Sequence, residues 1–276
     1  MKKIFYSACA IAAFSAAIIG CKKATTTEEV AALTAEEKNM ITAAGFNGNW
    51  AQRTSEGYLV EGDMLLTNEQ LREMSGVQPD HELIVANEEH YRTYNLVSLP
   101  YTGQRTITVR LGAGFPAHYS VALDSSLARY NKLNLRIRFQ RVTTGGNIVI
   151  TARDLGTTPT GGCYLGESGF PSGGRPSSGF VLSNSTCATA ILSTVAKVDE
   201  VMAHEIGHAI GFRHTDYMNR SSCNQNSNEG SSGVGAIHIP GSPTTVIGTY
   251  NSWMMACVNS EPAFSAADIA ALNYIY

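Results

Sequence analysis

The stretch Ala196 to Ile210, AKVDEVMAHEIGHAI, constrains this chain more than any other, because its period fits only a helix that buries one side and carries chemistry on another. At about 100° per residue, Val198, Met202, Ile206, Ala209 and Ile210 fall on one face, the side a core would cover. His204 and His208 stand four apart on a different face, one turn above each other, and Glu205 points between the two. Two imidazoles at i and i+4 can hold one tetrahedral zinc ion, and the neighbouring carboxylate can take a proton from water held by that metal. Gly211 predicts the end of the helix in the left-handed conformation, after which the chain can turn back and bring His214 to the same ion. A structural zinc normally has four protein ligands, often including Cys. Three His leave a position for water, so the string reads as a catalytic site.

The rest of the chain suits an exported protein. Lys2 and Lys3 form a short basic region, and residues 4–19 are apolar or small before Gly20-Cys21. A run of about 16 is shorter than the roughly 20 residues a spanning helix needs. The segment resembles a bacterial lipoprotein signal, which implies removal of residues 1–20 and acylation of Cys21; plain secretion and a retained anchor are the alternatives. Residues 21–30 then read as a tether off the lipid. The 276 residues carry a net charge of −3 and an isoelectric point near 6.2, which argues against a nucleic-acid partner.

Cysteine usage agrees. Cys9 leaves with the signal and Cys21 is taken by lipid, so Cys163, Cys187, Cys223 and Cys257 remain, an even number with no CxxC pair. Three pairings are open, of which Cys163–Cys187 with Cys223–Cys257 is the simplest, each stapling a loop rich in Gly, Ser and Asn.

Along the mature chain, Thr34 with Glu37 three residues later predicts a capped helix to Ala44. Residues 58–66 predict an extended run, Thr67 to Gln70 open a short helix, and residues 75–95 an exposed polar connection. Ile107, Val109 and Leu111 alternate with polar partners, Ala117 to Tyr130 has a helical period, and Leu135, Ile137 and Phe139 alternate again before Ile148 and Ile150. Strand, helix, strand in that order implies a parallel pair. Residues 156–178 predict loop, Gly179 to Leu182 a short strand, and Phe264 onward a last helix capped by Ser265 and Asp268.

His204 to His214 resembles the HExxHxxGxxH string of metzincin zinc proteases. Met254 in Ser252-Trp253-Met254 stands where those proteins place the Met-turn beneath the metal, with Met255 as a rival. HEIGHAIGFRHTD, together with NIVITA and VEGDMLLT upstream, is similar to the dual-action HEIGH metallopeptidase family. The resemblance implies an α+β fold: a two-lobed catalytic domain over 91–276, with a twisted mixed sheet and zinc helix above a loop-rich lobe closed by the C-terminal helix. Residues 31–90 form a small pro-like segment before it. It also implies an edge strand that pairs with extended protein or peptide substrates, for which Gly179–Ser183 is the candidate.

The expected activity is endopeptidase hydrolysis by metal-activated water with Glu205 as general base, one Zn2+ per chain, in a monomer anchored to the cell envelope through lipid. No EF-hand-like string speaks for calcium. A surface-attached binding or adhesive lipoprotein with a non-catalytic zinc site is the alternative, and the intact Glu205 is what separates the two. In two places the chain departs from metzincin branches. Ala256 stands where several carry an assisting Tyr, and Thr215-Asp216 follow the third His where astacins have Glu; Asp216 reads either as a brace for the site or as a solvated loop acid. Finally, Val60-Glu61-Gly62-Asp63 resembles the FxGD segment of astacin-type propeptides, with Val60 in place of Phe. That makes Asp63 a candidate latency ligand, against an ordinary strand-turn.

Overall fold

The computed structural model describes residues 32–75, 90–158, 161–231, 234–242, 252–257 and 263–276. The signal over 1–20, Cys21 with its tether, and most of the 75–95 connection lie outside the described residues; the described end of that connection is not exposed as expected, because His90, Tyr91 and Thr93 are buried. Local signals act first. Helix α1 (Ala35–Ala43) starts at Thr34, whose hydroxyl accepts from the Glu37 amide at 3.2 Å while the Glu37 carboxylate accepts from the Thr34 amide at 2.8 Å, the predicted capping box. Strands β1 (Gln52–Thr54), β2 (Gly57–Val60) and β3 (Met64–Leu66) and helix α2 (Asn68–Ser75) follow. The run 58–66 is not one extended segment. It reverses between β2 and β3, where Glu61 (φ 55°) and Gly62 (φ 94°) both take left-handed backbone.

The remaining elements are β4 (Tyr91–Arg92), β5 (Arg105–Leu111), α3 (Ala117–Asn131), β6 (Ile137–Arg141), β7 (Ile148–Arg153), β8 (Gly166–Ser168), β9 (Gly179–Ser183), α4 (Thr186–Ile191), α5 (Val195–Ile210), β10 (Ile237–His238) and α6 (Ala266–Ile275). Eight strands make one mixed sheet in the order β1-β2-β3-β8-β9-β7-β5-β6, and β10 pairs with β4 apart from it. The β5–α3–β6 unit is parallel as its order predicts, with Ile107 opposite Phe139; β7 and β9 continue in parallel, with Ile150 opposite Phe180.

One expectation is overturned. Gly179–Ser183 is not an edge strand, because β9 is paired by β7 on one side and by antiparallel β8 on the other. The sheet ends at β1 and β6, and the strand beside β9 is β8, inside the stretch read as loop. Its three residues, Gly-Glu-Ser, have no apolar alternation to betray them. Its outer side meets β3 in parallel, at Met64 opposite Ser168.

The main core lies between the sheet and helices α3 and α5: Ile107, Val109, Ile148 and Ile150 from the strands meet Leu123, Met202 and Ile206. Each such side chain stabilises the fold by about 1.5–3 kcal/mol on burial. Asp199 of α5 accepts from Ser126 Oγ (2.6 Å) and Ser125 Oγ (2.9 Å) and pairs with Arg129, which sets the α3–α5 register. A second, smaller core joins Ile41, Phe46, Val60, Met64, Leu66 and Leu71 to Phe170 and Val234. The disulfides are Cys163–Cys187 and Cys223–Cys257, the nearest-neighbour pairing, with Cα separations of 5.9 and 5.2 Å. Among the described residues no helix is long and apolar enough to cross a membrane.

Candidate metal centre

Helix α5 is capped by Thr194, whose hydroxyl accepts from the Lys197 amide, and stops at Gly211 with φ 110°, as its sequence predicts. The turn returns His214 to the face that carries His204 and His208, and all three rings are buried with centroids 4.7–5.3 Å apart. Each Nδ1 is committed. His204 Nδ1 donates to the Trp253 carbonyl, His208 Nδ1 to the Phe212 carbonyl, and His214 Nδ1 to the Glu229 carboxylate, each at 2.8 Å. A carbonyl can only accept, so the first two rings carry their proton on Nδ1 and turn an Nε2 lone pair inward.

The inward atoms converge. His208 Nε2 and His214 Nε2 are 3.2 Å apart, and Asp63 Oδ2 stands 2.8 Å from His214 Nε2, 3.4 Å from His204 Nε2 and 3.8 Å from His208 Nε2. These four ligand atoms lie within 4.8 Å of one another, so Asp63, His204, His208 and His214 could together hold a metal ion. His204 Nε2 and Asp63 Oδ1 are buried without a hydrogen-bond partner among the described residues. Three imidazoles and a carboxylate fit zinc, and the orphaned nitrogen is what a missing cation would leave. Burial lowers the His208 pKa to about 4, which keeps it the neutral ligand form. Burial opposes the Asp63 charge, but the facing His214, whose Nε2 is 2.8 Å away, outweighs it and holds the carboxyl well below its usual range.

Glu205 is buried beside the trio, and burial first, then the Asp63 charge, pushes its pKa well above the ordinary value. Beneath the rings, Met254 packs against Gly207 so closely that a Cβ there would lie 2.3 Å from Sδ. Met254 is therefore the residue under the helix, while Met255 lines the open cavity. Asp216 is buried and accepts from the amide and hydroxyl of Ser222 and from the Ala256 amide, so it braces the Met254 turn rather than facing water. A cavity of about 140 Å³ reaches the cluster at Asp63 and His204 and is bordered further by Tyr164, Gly166, Glu205 and Ala256.

The sequence reading missed a cluster around His214. Arg213 is fully buried between the rings of Phe46 and Tyr217, and its Nη2 donates to both oxygens of Glu61 at 2.7 and 2.8 Å. Arg220 pairs with Glu229 and donates to the Glu61 carbonyl at 2.8 Å. An acid 15 positions beyond His214 carries no motif; only its fold neighbours make Glu229 the third Nδ1 partner.

A metal-dependent peptidase is the class this geometry suits. Residues 58–276 match the model of the dual-action HEIGH metallo-peptidase family, which is most of the chain, so the chain belongs to that family and is a zinc metallopeptidase. The match begins in β2 and thus includes the Asp63 turn. No curated protein matches. Among solved structures, high choriolytic enzyme 1, a hatching enzyme zinc-protease from Oryzias latipes (Medaka fish), is 16% identical with a TM-score of 0.37, covering 65% of this chain and 92% of its own. Myroilysin is 15% identical with a TM-score of 0.37, covering 65% and 86%.

Proposed function

We propose that the chain is an exported, zinc-dependent endopeptidase in which His204, His208 and His214 hold one zinc ion and Glu205 is the general base. One observation carries the reading: three Nε2 atoms converge while every Nδ1 is occupied elsewhere, with Glu205 alongside. A zinc ion there would polarise the scissile carbonyl and lower the pKa of water toward about 7. Glu205 receives the water proton and hands it to the leaving amine. Strand β8, which borders the cavity through Gly166, is the strand on which an extended peptide would lie.

On the same reading residues 31–90 are a pro-segment. Asp63 fills the fourth corner of the cluster, so no nucleophilic water can stand there, and its grip on the imidazoles also holds β3 over the edge of β8, so that removing the carboxylate would loosen both. Cleavage within 75–95 would free an active, monomeric protease from its lipid anchor at Cys21.

The test is casein zymography on the zinc-loaded full chain. Asp63→Ala should cleave at least tenfold faster than unprocessed wild type, a chelator should abolish that cleavage, and Glu205→Gln should lower it by about 10²-fold or more. Equal activity of unprocessed wild type and Asp63→Ala overturns the latency; no cleavage by processed wild type overturns the protease reading.

A further inference from the structure

Glu205 is buried, yet its Oε2 has no hydrogen-bond partner among the described residues. What stands against the carboxyl is a missing side chain. A Cβ built on Gly166, the first residue of β8, would lie 2.3 Å from Glu205 Oε1, 2.8 Å from Cδ and 3.0 Å from Cγ, where ordinary contact begins at 3.4 Å. The backbone does not explain this glycine, because Gly166 is absent from the positive-φ positions. The carboxyl does.

We propose that Gly166 is a positioning residue whose bare α-carbon seats the general base and fixes it relative to the strand beside it. The proposal rests on the reading of Glu205 given above. Neither backbone can yield to an added methyl group. Strand β8 is held by β9 through Gly166 opposite Leu182 and Ser168 opposite Phe180, and α5 is anchored by its buried face and by Asp199. The Glu205 side chain is the soft partner, so Gly166→Ala should fold and bind metal while its base rotates away. A displacement of about 1 Å at a reacting group costs on the order of 10²-fold in rate. The same seat ties base to substrate: a peptide lying along β8 is registered on the strand whose first residue touches the carboxyl.

The test is a pair of double-mutant cycles in the zinc-loaded full chain carrying Asp63→Ala. Gly166→Ala should lower kcat about 10²-fold with KM within about twofold and zinc content unchanged, whereas in a Glu205→Gln background it should change the residual rate less than threefold. In melting, Gly166→Ala should lower Tm with Glu205 present and not with Glu205→Ala. Wild-type-like kcat in Gly166→Ala, or additive effects in either cycle, overturns the proposal alone. Undiminished turnover by Glu205→Gln overturns the reading of the base, and the proposal with it.

Discussion

Residues 90–276 and residues 32–75 share one sheet but are held together by different means. The larger region closes on a wide apolar layer, with strands of five to seven residues in β5, β6 and β9 against two long helices. The smaller one has strands of three or four residues, a core that needs Phe170 and Val234 from its neighbour, and an interface concentrated at the metal cluster: Asp63 on the imidazoles, Glu61 on Arg213, and one register pair between β3 and β8. Apolar burial is non-directional and sets stability; a few buried ionic pins are directional and set where a segment sits. The segment is thus located by buried charges as well as held by a small shared core.

Four measurements sharpen or break that contrast. The largest effect concerns chemistry, which should reside wholly in 90–276. Glu205→Gln in the Asp63→Ala chain should lower kcat by about 10²–10⁴ with metal retained, and an unchanged rate would move the base elsewhere. Next, Glu61→Ala leaves Arg213 buried without its bidentate partner and should cost about 3–5 kcal/mol. Urea unfolding measures the loss, and a wild-type midpoint would mean that Arg213 re-pairs, with Glu229 Oε2 already 3.7 Å away.

Third, Leu123→Ala and Leu71→Ala truncate equally buried side chains in the two regions. The first should lower global melting by about 2–5 kcal/mol, while the second should mainly speed proteolysis of 32–75. Equal shifts in one transition would make the two regions a single cooperative unit. The smallest effect is titration of Glu37. The Thr34 amide, then the Thr34 and Tyr58 hydroxyls and Arg53, hold its carboxyl at about 2 against the opposing effect of burial, so its stabilisation is complete above its ordinary 4.5 and lost as pH falls toward 2. Hydrogen exchange in α1 should rise over that window in wild type and stay flat in Glu37→Gln.

Features written in local periodicity were readable beforehand. The α5 stripe, the Gly211 stop, the caps at Thr34 and Ser265 and the alternation in β5 depend on neighbours a few residues apart, and they agree with the structure. The convergence of His204, His208 and His214 was readable for the same reason, with one helix and one turn between them. What escaped depends on distant partners. Strand β8 exists because β9 and β3 pair with it, and Glu229 matters because a loop carries it to His214. Short α4 also went unread, although Ser185 caps it by accepting from the Ala188 amide.

The parallel pair at Met64 and Ser168 has a consequence for solubility. An unpaired strand is a template for association between molecules, and proteins guard such edges by covering them or keeping them short. While β3 is docked, the outer side of β8 is capped by the chain's own hairpin. Should the hairpin leave, the edge laid bare is three residues long with Glu167 at its middle. Such an edge is too brief, and its central carboxylate too polar, to zip against its own copies.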